Sequence, residues 1–113
     1  MRAPDYPLFV LEKDDHSFRE VKNYEELSWY EPIDVRDRLY EGWDSSGRFF
    51  RLLWDERGRK RIVEVQERFD IMAFEVAVQK YKDALSSTKK RVPKHLCAPE
   101  YLEAKIAELK KNG

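Results

Sequence analysis

The first hydrophobic feature of the chain is a short apolar run, Leu8-Phe9-Val10-Leu11, which ends in the polar stretch Glu12-Lys13-Asp14-Asp15-His16-Ser17. An apolar run bounded by turn residues predicts a strand, and Phe18 to Val21 is placed to return as the second strand of a hairpin. Asn23 then suits the cap of a short helix over Tyr24 to Trp29, with Glu26 three residues on, as in a capping box. Pro32 is expected to stop that helix and to push Glu31 into extended geometry.

Three further strands are predicted over Arg38 to Trp43, Arg48 to Trp54 and Lys60 to Gln66. They are separated by Asp44-Ser45-Ser46-Gly47 and Asp55-Glu56-Arg57-Gly58, so Trp-Asp-x-x-Gly-Arg occurs twice, at Trp43–Arg48 and Trp54–Arg59. Asp accepts a hydrogen bond from backbone two residues on, and Gly supplies positive φ at a turn exit. Two such turns make a three-stranded meander. The period of two places Phe50, Leu52 and Trp54 on one face of the middle strand, and Val63 with Val65 on one face of the next.

From Asp70 the period changes. Ile71, Phe74, Val78, Tyr81 and Leu85 recur at spacings of three and four, the signature of one helical face. Asp70 is a predicted N-cap, and Phe69 and Phe74 flank it as a hydrophobic staple would. Ser86-Ser87-Thr88 ends the pattern, Lys89 to Pro93 is a basic linker, and Pro99 suits the first position of a last helix. That helix carries Leu102, Ile106 and Leu109 as its stripe, acids near its start, lysines near its end, and Asn112-Gly113 as its stop. The order β-β-α-β-β-β-α-α predicts an α+β fold in one domain, residues 1–113: a mostly antiparallel sheet of about five strands with the C-terminal helices packed on one face.

Composition supports a folded chain. Hydrophobic residues are 42% and aromatic residues 13%, while charged residues reach 39%, which implies a heavily charged surface over a real core rather than disorder. The formal net charge is zero but unevenly spread. Met1 to Arg57 holds nine basic and fourteen acidic residues, and the remainder thirteen and eight. Cys97 is the single cysteine, so no internal disulfide forms, as in a reducing compartment. The first apolar run is too short for a signal peptide or a membrane span, and a cytoplasmic location is expected.

Candidate chemistry is sparse. His95 and Cys97 lie two apart, but a structural zinc site needs four such ligands, and no metal or other cofactor is expected. Nothing around Cys97 resembles a nucleophile signature, and no glycine spacing fits a phosphate loop. Paired carboxylates are plentiful but sit in predicted turns, with nothing to mark a cleft. A non-enzymatic binding module is therefore the expected class. The acidic first half, with Tyr6, Tyr24, Trp29 and Tyr30 as candidate exposed anchors, suggests a protein partner approached through Asp14, Asp15, Asp34 and Asp37. The alternative is nucleic-acid binding through Lys89, Lys90, Arg91 and Lys94, although a pI near 6.7 is low for that class.

Two resemblances accompany these patterns. The doubled Trp-Asp-x-x-Gly-Arg motif resembles the tyrosine-aspartate repeats of bacterial Rhs-type toxin shells, without their tyrosine or their long array; two ordinary hairpins explain it as well. The segments Tyr6–Asp15, Glu31–Val35 and Tyr40–Arg48 resemble small bacterial α+β proteins, some of them similar to immunity partners of contact-dependent toxins. That resemblance spans about the first half of the chain and implies an immunity-type inhibitor, with no functional residue to carry over.

Overall fold

A computed structural model describes residues 3–88 and 91–112. Five strands form one sheet: β1 (Leu8–Glu12), β2 (Ser17–Val21), β3 (Tyr40–Trp43), β4 (Arg48–Asp55) and β5 (Lys60–Phe69). Their order across the sheet is β2-β1-β3-β4-β5, and every neighbouring pair is antiparallel. Between β2 and β3 lie a 3-10 helix over Tyr24–Trp29 and a short helix α1 (Pro32–Arg36). Two longer helices, α2 (Ile71–Thr88) and α3 (Pro99–Asn112), end the chain. The α+β class, the antiparallel sheet and the C-terminal helices on one face are as the sequence predicts.

The sheet is buried on both faces, which explains why β1 reads as an unbroken apolar run instead of an alternating one. Leu8 and Val10 point into a core with Val21, Phe50, Leu52, Val63 and Val65, closed by Leu27, Tyr30 and Val35 from the two short helical segments. Phe9 and Leu11 point the other way, to Phe18, Trp43, Phe74, Val78 and Tyr81, with Leu102 and Ile106 from α3. In this second core the Trp43 and Phe74 rings stack at 4.9 Å, and Phe18 lies 5.9 Å from both Phe74 and Tyr81. Each such ring buried in full is worth about 1.5–3 kcal/mol. The buried Tyr81 hydroxyl donates to the Cys97 carbonyl (2.7 Å), and Cys97 N–H donates to the Phe18 carbonyl (2.8 Å). The linker into α3 is thereby held against β2. Among the described residues no helix is long and apolar enough to cross a membrane.

Several local expectations are corrected. Pro32 opens α1 at its first position, where a missing N–H costs nothing, instead of only ending the preceding turn. The third strand begins at Tyr40, not Arg38, because Arg38 has φ 56° and reverses the chain. The fifth strand runs on to Phe69, with an irregularity in the β4–β5 register between Arg48 and Phe50. Asp70 does cap α2, accepting from Ala73 N–H (3.2 Å). Phe69, however, is 58% exposed with the Arg48 guanidinium over its ring, while Phe74 is fully buried, so no staple joins them.

Candidate functional site

A group of polar side chains lines a cleft at the end of β1. Glu12 is directly opposite Ser17 on β2 and Tyr40 on β3, and Val10 is opposite Arg19. Directly opposed residues share a face, so the ladder alone places Glu12, Arg19 and Tyr40 together. The 3-10 helix brings Tyr30 against them, its ring 4.3 Å from that of Tyr40. Asp15 enters from the β1–β2 turn, which is shaped by His16 at φ 61° and by Ser17 N–H donating to the Asp15 carboxylate (2.9 Å). His95 enters from the linker before α3. These residues wall a cleft of about 150 Å³.

The cleft holds carboxylates and Arg19 together: the carboxylates outweigh Arg19 at Glu12 and Tyr40, whereas at Tyr30 Arg19 is the larger charge. Burial, then the charges of Asp15, Asp14 and Asp34, hold the Glu12 carboxyl above its ordinary value, and Arg19 is the weakest influence on it. The Tyr40 hydroxyl is pushed up to about 12 by burial, then by Glu12 and Asp34. Burial raises Tyr30 as well. Arg19 is drawn toward the aromatic wall, its guanidinium 4.8 Å above the Trp29 ring and 5.8 Å from that of Tyr30. It makes no ion pair among the described residues, so it does not neutralise Glu12 or Asp15 directly. Tyr30 is only 7% exposed, and its hydroxyl has no hydrogen-bond partner among the described residues. Its backbone, by contrast, is fixed, because its carbonyl accepts from Arg61 Nε (2.9 Å) and from Arg61 Nη2.

Of the acidic residues singled out in the sequence, Asp14, Asp15 and Asp34 are brought within electrostatic reach of Glu12. Asp37 caps the end of α1 and is exposed, and it does not join them. Among the expected exposed aromatics, Tyr24 and Trp29 are exposed at 45% and 49%, whereas Tyr30 belongs to the core and the cleft wall. Glu12, Arg19 and Tyr40 carried no motif, whereas Tyr30 was expected as an exposed anchor and His95 was weighed as a metal ligand. Only strand register unites the first two with Tyr40.

The basic stretch is less concentrated. Arg91 and Lys94 are exposed in the linker, and Lys89 and Lys90 lie outside the described residues. Lys82 pairs with Glu103 on α3 (3.0 Å), and Tyr81 is buried, so it offers no face to a base. Cys97 is also buried, and burial pushes its thiol up to about 12, away from nucleophilic chemistry. Among the described residues, no group of three or more His, Cys, Asp or Glu side chains is arranged to hold a metal ion. A wider groove of about 600 Å³ runs between α2 and the sheet over Leu11, Trp43 and Phe49, and Lys13, His16, Glu41, Asp70 and Lys80 also line it. No protein-family model, no curated protein and no solved structure matches the chain.

Proposed function

We propose that this chain is a non-enzymatic protein-binding module that presents its acidic end to a basic surface on another protein. The observation that carries this reading is the convergence of Asp14, Asp15 and Asp34 near Glu12: their charges add to burial in raising its carboxyl above its ordinary value. Like charges gathered in this way oppose folding locally and favour a cationic partner, which gains both on-rate and register from the field. Trp29, half exposed beside the cleft, supplies an aromatic anchor of the kind that dominates interface energetics. An immunity-type inhibitor, occluding a basic active site with this end, is the concrete form of the proposal.

The test is a differential capture from a lysate of the source organism, run with and without nuclease. The parent chain is compared with a variant reversed at Asp14 and Asp34 to lysine. The expected result is a protein retained by the parent in both samples and lost by the variant. A partner retained equally by both chains would remove the acidic end from the function. Material that disappears on nuclease treatment would assign the binding to nucleic acid instead.

A further inference from the structure

The two edges of the sheet are finished differently. At β2 the linker covers the edge, with Cys97 N–H donating to the Phe18 carbonyl (2.8 Å). At β5 no described strand pairs with the outer side. The register shows which groups that side presents. Asp44 N–H donates to the Arg48 carbonyl (2.9 Å), so Arg48, and with it Phe50, Leu52 and Trp54, turn their backbone to the β3 side. Their opposites Val65, Val63 and Arg61 therefore turn theirs away from β4, to the open side. The Arg61 carbonyl accepts from the Tyr24 hydroxyl (2.8 Å) in agreement with that sense, and no other hydrogen bond among the described residues reaches the outward backbone of Arg61, Val63 or Val65. An unpaired strand edge is a template for another strand, and β5 is ten residues long.

The side chains of this edge complement themselves. Lys60, Ile62 and Glu64 share the face that bears α2 and α3, since Val63 and Val65 point into the opposite core. Their order is basic, apolar, acidic. Two copies running antiparallel about Ile62 therefore set each Lys60 against a Glu64 and Ile62 against Ile62. The neighbouring strand extends the same rows, because Arg51 lies opposite Glu64, Leu53 opposite Ile62 and Asp55 opposite Lys60. Across the joined sheet the outer rows then read Arg51, Glu64, Lys60, Asp55, alternating in sign, and the middle row reads Leu53, Ile62, Ile62, Leu53. Leu53 and Ile62 are half-buried and belong to neither core. Other two-fold registers lose this match. Centring on Val63 sets Ile62 against Glu64, and centring on Glu64 sets Glu64 against Glu64 and Lys60 against Arg68. Directly opposed unlike charges stabilise a strand pair, and like charges weaken it.

We propose that the outer edge of β5 is an interaction surface for a second copy of this chain, paired antiparallel about Ile62. Arg61 and Val63 exchange their outward backbone hydrogen bonds with Val63 and Arg61 of the second copy. A carbonyl has two lone pairs, so Arg61 keeps one for this bond beside the Tyr24 hydroxyl. The approach is an open groove of about 430 Å³ along Lys60–Val63, walled by Ala3, Pro4, Tyr6 and Tyr24. Residues 60–64 on each side fall well short of the roughly 20–30 residues a side of a standard interface, so the dimer is a reversible one that forms with concentration. The surface is separate from the acidic end, which belongs to β1, three strands across the sheet.

The experiment is sedimentation equilibrium of the full chain at concentrations up to about 1 mM, which covers weak self-association. The mass of the parent is expected to rise with concentration from 13.6 kDa toward twice that value. Glu64→Lys and Lys60→Glu, each alone, set like charges against each other, and each is expected to self-associate at least about tenfold more weakly. Mixed in equal amounts, the two variants again oppose unlike charges at both positions, and the dimer is expected to return. In an amide NMR dilution series of the parent, Arg61 and Val63 are expected to shift, while Met72 and Val76 on the exposed side of α2 stay fixed. A parent that remains monomeric, single variants that associate as the parent does, or a mixture of folded variants that stays monomeric would overturn the proposal. Shifts at Met72 and Val76 without Arg61 and Val63 would move the dimer to α2 and overturn it as well. If circular dichroism shows either variant unfolded, the dilution series of the parent decides alone.

Discussion

At the scale of single residues, the two Trp-Asp-x-x-Gly-Arg turns separate what a motif reveals from what it hides. Each Asp accepts from the backbone N–H two residues on, Asp44 from Ser46 (3.0 Å) and Asp55 from Arg57 (3.1 Å). There the likeness ends. Gly47 has φ 89°, as the turn requires, but in the second turn positive φ falls on Arg59 at 49°. Asp44 is fully buried and accepts three further bonds, from Ser46 Oγ (2.7 Å), Arg48 N–H (3.0 Å) and Asp5 N–H (3.1 Å). Hydrogen bonds to a charged group are worth more than neutral ones, and removing the acceptor leaves buried donors unpaired. Asp44→Ala is therefore expected to cost about 2–4 kcal/mol and Asp55→Ala under about 1 kcal/mol. Urea denaturation of the two variants is the check, and equal losses would refute the distinction. The sequence shows the turns but not this asymmetry, because the burial of Asp44 depends on a segment 39 residues away folding over it.

At the scale of elements, long periodic segments were legible and short junctions were not. Five apolar positions at helical spacing identified α2, and the unbroken run Leu8–Leu11 identified β1. Pro32 was ambiguous because proline both ends one helix and begins another, and α1 is too short to show a period. The cleft was illegible for a related reason. Glu12 reads as the first residue of a turn, and only the register of β1 against both neighbours sets it beside Tyr40 and near Arg19. That register depends on β3, a strand of four residues with Gly42 near its middle. A Cβ on Gly42 would lie 2.0 Å from the Phe9 carbonyl oxygen and 3.1 Å from Phe50 Cζ. The first neighbour is backbone of the adjacent strand and cannot turn aside. Gly42→Ala is expected to destabilise the fold by about 3 kcal/mol and to disturb the near-ultraviolet signal of Trp43, its chain neighbour. A variant with the parent's urea midpoint would show that β1 and β3 are not held as closely as this geometry requires.

At the scale of the whole molecule, the charge imbalance between the two halves is hardly relieved by ion pairs across them. Arg36–Glu56 lies within the first half and Lys110–Glu75 within the second, and among the described residues only Arg51–Glu64 (3.9 Å) joins the two. At the end of β1 the acids of the first half remain crowded, and this crowding can be read through stability. Burial and neighbouring carboxylates hold Glu12 above its ordinary 4.5 in the folded chain. Between that value and the raised one, the folded chain binds more protons than the unfolded chain, so stability falls as pH rises through the window. The penalty is complete above the raised value and absent below the ordinary one. Glu12→Gln removes the group that ionises. The variant is expected to be more stable than the parent at neutral pH and to converge with it as pH drops below about 4. Urea midpoints of both proteins across this range are the measurement. A variant less stable at neutral pH, by an amount that does not change with pH, would mean that Glu12 serves the fold. A gain in stability at neutral pH that disappears in acid would mean that the fold tolerates an unfavourable carboxylate at this end of the sheet.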